Sequence, residues 1–584
     1  MAASTHWLAT GTAQGVLERG GNAVDAAVAA AFVLHLVEPE LNGPGGDLTA
    51  LLSLGGAAPR VLCGQGAAPA AATIEHYRGL GFDVVPGIGV LGAAVPGAVA
   101  AWFALLLEHG TWELADVLRP AIDYARDGHP LTPGTARAIE RMRPFFERHW
   151  PSSAERWLSG ETPEGGLATA RVWAGVLERL VAAGDAAGSR EDRIRAAASA
   201  WSDGFVAEAM GAFASTPRAH ADGRELAGVL TAADVAAFRP RFEEPVSLAF
   251  RGSSVVKAGS WTQGPALLQA LAMLDTLDDE RLDPSTALGI HSIAEALKLA
   301  LADRDAWYGD PDVAEVPLAE LLASSYAAER AALIGETASR EFRPGRPGDR
   351  EPWRPPLRRP AAGAGEPVAA ERVAELADAG PSIAPATDLP RGDTCHLDVL
   401  DRWGTSVSAT PSGGWLQSSP TIPELGFCLG TRLQMTWLDP ASPSALTPGG
   451  RPRSTLSPTM LMRDGEVVEV LGTPGGDSQD QWQLLYLLRR LVGGYAPQAA
   501  IDAPAFQTDS HVDSFDPRGF DGGALVVESR VGEAVIAELR ERGHRVTVAP
   551  PWSLGRLSAV GRHPGGGYFA AANSRGGRGY ASGR

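Results

Sequence analysis

The chain has 584 residues, 45% of them hydrophobic, and a formal net charge of −18, which allows a large buried core and suggests two or more domains by length. Only Lys257 and Lys298 among the 51 basic residues are lysines, and the acidic balance argues against a nucleic-acid footprint. Three cysteines, Cys63, Cys395 and Cys428, supply neither a disulfide framework nor a Cys-x-x-Cys zinc spacing.

Residues 7 to 19 and 22 to 37 read as two helices split by Gly20 and Gly21, with Asn22 as N-cap and Pro39 past the second. The first residues lack the basic and apolar regions of a secretory signal, and no apolar run reaches membrane-spanning length. A cytoplasmic protein with no membrane partner is therefore expected. Helical patterns dominate to about residue 340, including Gly264 to Leu274 and Pro284 to Trp307, with a strand over Val246 to Phe250.

From Gly335 to Asp393 the composition turns to Pro, Arg, Gly, Ala and Glu, and is read as a mobile connector. Short strands follow. Cys395 to Leu400 and Thr405 to Thr410 flank a turn of Asp401, Arg402, Trp403 and Gly404, and Thr394 is read as lying across the hairpin from Thr410. A second hairpin, Thr459 to Met462 and Glu466 to Leu471, leads into Gly475 and Gly476 and then a helix spaced by Trp482, Leu485, Leu488 and Val492. From Thr394 onward there are 17 Arg and 18 Asp plus Glu, so the acidity sits upstream of Thr394.

Gly87 to Gly92 has a dinucleotide-type glycine spacing, but Pro96 breaks the helix that should follow, so a turn-rich loop is expected. No phosphate loop or Gly-x-Ser-x-Gly elbow occurs, and none of the 12 histidines has a histidine three or four residues away. No metal and no cofactor are expected. His396 alternates away from Cys395 on its strand, which favours a structural role.

Asp393 and Thr394 stand where the connector meets a strand. A threonine hydroxyl needs a base, and a free α-amine with a pKa of about 7.7 to 8 serves from the same residue once the bond before it is cut. The uncut hydroxyl can itself attack the Asp393 carbonyl, so one residue serves maturation and turnover. Thr410 and Ser412, across the hairpin, are placed to orient Thr394. Gly475 and Gly476, at a strand-to-helix junction, offer N–H groups suited to an oxyanion hole.

Six segments carry a family resemblance: residues 20 to 47, 95 to 102, 119 to 128, 308 to 313, 451 to 460 (RPRSTLSPTM) and 472 to 479 (GTPGGDSQ). In that order they resemble the motifs of the γ-glutamyltranspeptidase family of N-terminal-nucleophile hydrolases. The resemblance implies a four-layer αββα sandwich of α/β (α+β) class, one intertwined domain from two segments. It also implies a large segment of residues 1–334, a linker of 335–393 ending at the cleavage site, and a small segment of 394–584. After self-cleavage between Asp393 and Thr394 these form a heterodimer, with further dimerisation left open. By similarity Thr394 is the nucleophile, Gly475 and Gly476 form the oxyanion hole, and Ser454 and Thr455, with Arg453 and Asp477, line the substrate site.

The γ-glutamyl-reading residues of the family are replaced. No arginine stands upstream of Val95-Pro96-Gly97, Met435 falls where an acidic residue is usual, and Gly414 replaces an asparagine. Local variants are similar to a divergent branch of acylases and amidohydrolases acting on small carboxylated amides, and Arg432 offers a bidentate carboxylate contact. The expectation is a self-processing Thr-dependent hydrolase of a small carboxylated substrate, cutting an amide or a C–C bond beside an oxalyl group, as in members of antibiotic pathways. Ordinary γ-glutamyl transfer and a non-processed scaffold are the other readings.

Overall fold

Alternating side chains on thirteen short strands build two stacked antiparallel sheets. The strands are β1 (Ala2–Ser4), β2 (Asp47–Ser53), β3 (Arg60–Gly64), β4 (Arg241–Glu243), β5 (Val246–Phe250), β6 (Ser253–Lys257), β7 (Leu397–Leu400), β8 (Ser406–Ser412), β9 (Thr459–Arg463), β10 (Glu466–Gly472), β11 (Ser558–Arg562), β12 (Tyr568–Ala572) and β13 (Tyr580–Ser582). The first sheet runs β13-β1-β7-β8-β2-β3-β4, and the second runs β12-β11-β10-β9-β6-β5. The computed structural model describes residues 1–159, 166–220, 222–358, 393–563, 565–575 and 579–584.

The layers follow from which apolar side chains meet. Leu48, Ala50 and Leu52 of β2 and Leu397 and Val399 of β7 face α1 (Trp7–Glu18), α2 (Ala23–Val37) and α3 (Ala98–His109). Their neighbours Leu51 and Leu400 point the other way, onto Val255's neighbour Val256, Met460, Val470 and Val560 of the second sheet. The far face of that sheet, with Val255, Leu461 and Leu471, packs on α4 (Gly264–Leu274), α5 (Ala287–Trp307) and α6 (Gln479–Leu491). The result is the four-layer αββα sandwich, helix on sheet on sheet on helix.

Local chemistry fixes the elements. Asn22 caps α2 with a full capping box, accepting from Asp25 N while Asp25 returns a bond to the Asn22 N–H, a motif typically contributing about 1 kcal/mol. α2 is buried along its whole length, as its Ala/Val-rich sequence predicts. The bounds of α4 and of β5 match the sequence reading, and α5 starts at Ala287 behind the Thr286 cap rather than at Pro284.

Two expectations change. The β7–β8 loop is one residue longer than the sequence suggests, because the Asp401 carboxylate accepts from the N–H groups of Trp403 and Thr405 and holds Thr405 in the turn. Leu400 then pairs with Ser406, and Thr394 stands opposite Ser412, not Thr410. The start of the presumed connector is tied down: Gly345 N donates to Asp303 at 2.6 Å, Arg343 pairs with Glu295 at 2.8 Å, and Trp353 Nε1 donates to Asp439 at 3.1 Å. Residues 359–392 of the connector lie outside the described residues.

Candidate active site around Thr394

Thr394 enters the first sheet as a bridge to Ser412, the last residue of β8, and Ser412 in turn pairs with Asp47, the first residue of β2. These positions share one face of adjacent strands, so a row Thr394, Ser412, Asp47 crosses the sheet end. Thr394 is 2% exposed. Its hydroxyl donates to Ser412 Oγ at 3.3 Å and accepts from Gln479 Nε2 at 3.4 Å. Gln479, the first residue of α6, is itself held by a bond from Ser457 N to its Oε1 at 3.2 Å.

The peptide between Asp393 and Thr394 is gripped on both sides. Its carbonyl oxygen accepts from Ser412 Oγ at 3.0 Å and from Trp415 Nε1 at 2.7 Å. The indole N–H also reaches the Leu41 carbonyl at 2.8 Å. The Asp393 side chain turns elsewhere: Oδ1 accepts from Gly475 N at 2.7 Å and Oδ2 pairs with Arg556.

Gly475 and Gly476 form the turn between β10 and α6 with φ of 129° and 53°, conformations that L side chains adopt only with strain. A Cβ on Gly475 would lie 2.4 Å from the Trp482 ring. The Gly476 carbonyl is anchored by Gln263 Nε2 at 3.1 Å, and Gln263 is braced by Arg304 at 3.0 Å. The Gly475 N–H thus meets Asp393, the neighbour of Thr394, at a braced junction next to the positive end of α6.

The remaining residues singled out in the sequence divide into supports and open donors. Asp477 is a support, bonded to Arg304 and, through Ser514 N at 2.8 Å, to the following loop. Burial opposes its ionisation, but the Arg304, His511 and Arg453 charges outweigh that and hold its carboxyl below the usual carboxylate range. Arg453 donates to Ser514 Oγ at 2.9 Å, and burial with Arg304 nearby pulls its guanidinium down to about 10. Among the described residues, Arg453 Nη1 and Thr455 Oγ1 are buried without a partner, an arrangement costly unless another group meets them. Ser454 N is bonded to the Trp261 carbonyl at 2.8 Å, and its hydroxyl accepts from Leu456 N at 3.2 Å.

Thr410 does not reach Thr394. Two residues back along β8, it bonds His396 Nδ1 at 2.9 Å, and His396 Nε2 meets Asp398 at 2.9 Å, a fully buried chain that packs the imidazole against Gly472. Of the two residues expected to orient Thr394, Ser412 bonds its hydroxyl, whereas Thr410 bonds His396. Arg432 is 4% exposed and already uses one edge of its fork on Asp47, Nε at 2.5 Å and Nη2 at 2.8 Å, with Nη1 3.4 Å from Met435 Sδ. Gly414 has a φ of 64° and packs on the Gly45–Gly46 backbone, leaving no room for the asparagine usual there.

Sequence reasoning missed Trp415, Gln479, Arg556 and Asp47. Gln479 closes the GTPGGDSQ motif and Trp415 follows the glycine pair after β8, so both stood beside residues already marked. Arg556 and Asp47 are 163 and 385 residues from their partners Asp393 and Arg432, and no local pattern joins them.

The family model described as gamma-glutamyltranspeptidase matches residues 9–583. The oxamate amidohydrolase proenzyme of Klebsiella pneumoniae is 30% identical over 97% of this chain and 95% of its own length. The solved structure of LmbA2991T421A superimposes with a TM-score of 0.91 at 51% identity, covering 100% of this chain and 98% of that one. The cephalosporin acylase of Bacillus halodurans aligns with a TM-score of 0.79 at 26% identity, covering 100% and 95%. With the sandwich, the ordered motifs and these relatives in agreement, the chain belongs to the γ-glutamyltranspeptidase family of N-terminal-nucleophile hydrolases and is a hydrolytic enzyme of that family.

Proposed function

We propose that this enzyme cuts itself between Asp393 and Thr394 and then hydrolyses a small carboxylated substrate through an acyl-enzyme on Thr394. One observation carries the substrate class: a carboxylate, that of Asp393, already lies beside Thr394, held by the Gly475 N–H and Arg556. A site that seats one carboxylate next to its nucleophile suits another on the substrate. Arg432 extends this, since Asp47 orients its fork and leaves the outer Nη edge for a second carboxylate contact. The printed name of the oxamate amidohydrolase relative agrees with a short acyl group bearing a carboxylate.

In turnover the freed Thr394 α-amine takes the hydroxyl proton, Oγ1 attacks the substrate carbonyl, and the N–H groups of Gly475 and Gly476 receive the oxyanion. Gln479 fixes the hydroxyl. The amine returns the proton to the leaving group, and water releases the acid. The C–C alternative uses the same nucleophile on an oxalyl carbonyl, a biosynthetic role inside the cell. The two segments stay together as a heterodimer.

The test is intact mass of the small segment after incubation with carboxylated amides and α-keto acids. A mass gain on the peptide beginning at Thr394, equal to the acyl half of one substrate, is expected. Efficient transfer from a γ-glutamyl anilide to a dipeptide would overturn the substrate class, and a permanently intact, inactive chain would overturn the enzyme reading.

A further inference from the structure

We propose that the indole N–H of Trp415 is the oxyanion donor for self-cleavage, so that maturation and turnover use two different holes around one nucleophile. The proposal rests on cleavage at the 393–394 bond. In the uncut chain the Gly475 N–H is occupied by the Asp393 carboxylate at 2.7 Å, so it is not directed at the scissile carbonyl. That carbonyl points the opposite way, onto Trp415 Nε1 at 2.7 Å and Ser412 Oγ at 3.0 Å. Trp415 is 4% exposed, and its ring is fixed by the second bond to Leu41 at 2.8 Å. A donor in a dry, rigid seat needs no reorganisation as charge develops.

The hydrogen-bond directions give a balanced step. Thr394 Oγ1 donates to Ser412 Oγ, and Ser412 donates to the Asp393 oxygen. As Oγ1 forms a bond to the Asp393 carbonyl carbon, its proton passes to Ser412 and the Ser412 proton moves to the Asp393 oxygen, whose π pair it captures. Trp415 holds the charge that builds on that oxygen during the transfer. The adduct collapses by breaking the C–N bond, its hydroxyl proton going to the Thr394 nitrogen, which leaves an ester and a free amine. Water then hydrolyses the ester. Trp415 is thereby a catalytic residue of maturation, in contact with the reacting carbonyl, while Ser412 relays the proton.

Purified full-length precursor of Trp415→Phe, which keeps an aromatic ring and deletes the N–H, is followed by denaturing electrophoresis and by the mass of each fragment. First-order cleavage at 393–394 should slow by at least about 10²-fold, the lower end for losing one oxyanion donor. Hydroxylamine, which intercepts esters, should not restore the rate, because the lost contact acts before the ester exists. A wild-type rate, or full rescue by hydroxylamine, overturns the proposal. Where Trp415→Phe shows no cooperative melting transition, benzothienylalanine at 415 retains the bicycle without the N–H and is read the same way. Wild-type cleavage at another bond overturns the site assignment and this proposal together, whereas cleavage at 393–394 with an unaffected Trp415→Phe rate overturns this proposal alone.

Discussion

Replacing Gly475 by alanine separates a structural glycine from a catalytic one. The backbone at 475 has a φ of 129°, where a side chain costs about 1–3 kcal/mol. The new Cβ would meet the Trp482 ring at 2.4 Å, and moving a packed indole adds about 1–3 kcal/mol of overpacking strain. A loss of about 2–6 kcal/mol in urea unfolding follows. If the junction relieves the clash by rotating, the Gly475 N–H leaves its aim, and one lost oxyanion donor lowers kcat by about 10²–10³, or about 2.7–4 kcal/mol of transition-state stabilisation. The assay is kcat per processed site on a carboxylated amide, with the fraction processed counted by mass and unfolding run in parallel. A variant with lowered stability and kcat within about threefold of wild type would show that Gly475 serves only the turn.

Thr394→Ala should leave a single band on denaturing gels and no hydrolysis, while a split at the same bond would refute self-attack by this hydroxyl. Arg432→Lys keeps the charge but loses the fork, so KM for a carboxylated amide should rise about 10–100-fold with little change for an uncharged analogue; equal losses on both would assign Arg432 to structure. Burial lowers the His35 imidazole to about 3 from 6.5. The unfolded chain therefore binds the extra proton across that window, and stability contributed at neutral pH is lost as pH falls, about 2 kcal/mol by pH 5. His35→Leu should flatten that part of the melting temperature against pH profile, and an unchanged slope would exclude His35 as its source.

Much of the scaffold was legible because its signals are local. Asn22 announces α2, the second hairpin is read as β9 and β10, and the glycine pair marks the junction before α6. The turn between β7 and β8 was read one residue too short because a single carboxylate, Asp401, reaches across it to Trp403 and Thr405, an effect no hydrophobic pattern encodes. Thr394, the proposed nucleophile, was singled out by its position and by the ordered motifs. Its partners were not: Trp415 bonds the Asp393 carbonyl through a side chain folded back from beyond β8, and Arg432 meets Asp47 only because β2 lies beside β8. Long-range pairing decides such contacts, and one sequence carries little trace of it.

The strand order of the first sheet has a consequence for the cut protein. β1, from the amino-terminal side, is laced between β7 and β13, both from the carboxy-terminal side, through ladders at Ala2↔Val399 and Ala2↔Ser582. If the chain is severed before Thr394 as proposed, the two pieces are still woven into one fabric, and pulling them apart tears a sheet rather than undocking a surface. Such a pair has no dissociation constant distinct from its unfolding equilibrium, so unfolding frees two chains and the melting temperature of the cut protein should fall on dilution, as that of an uncut chain would not.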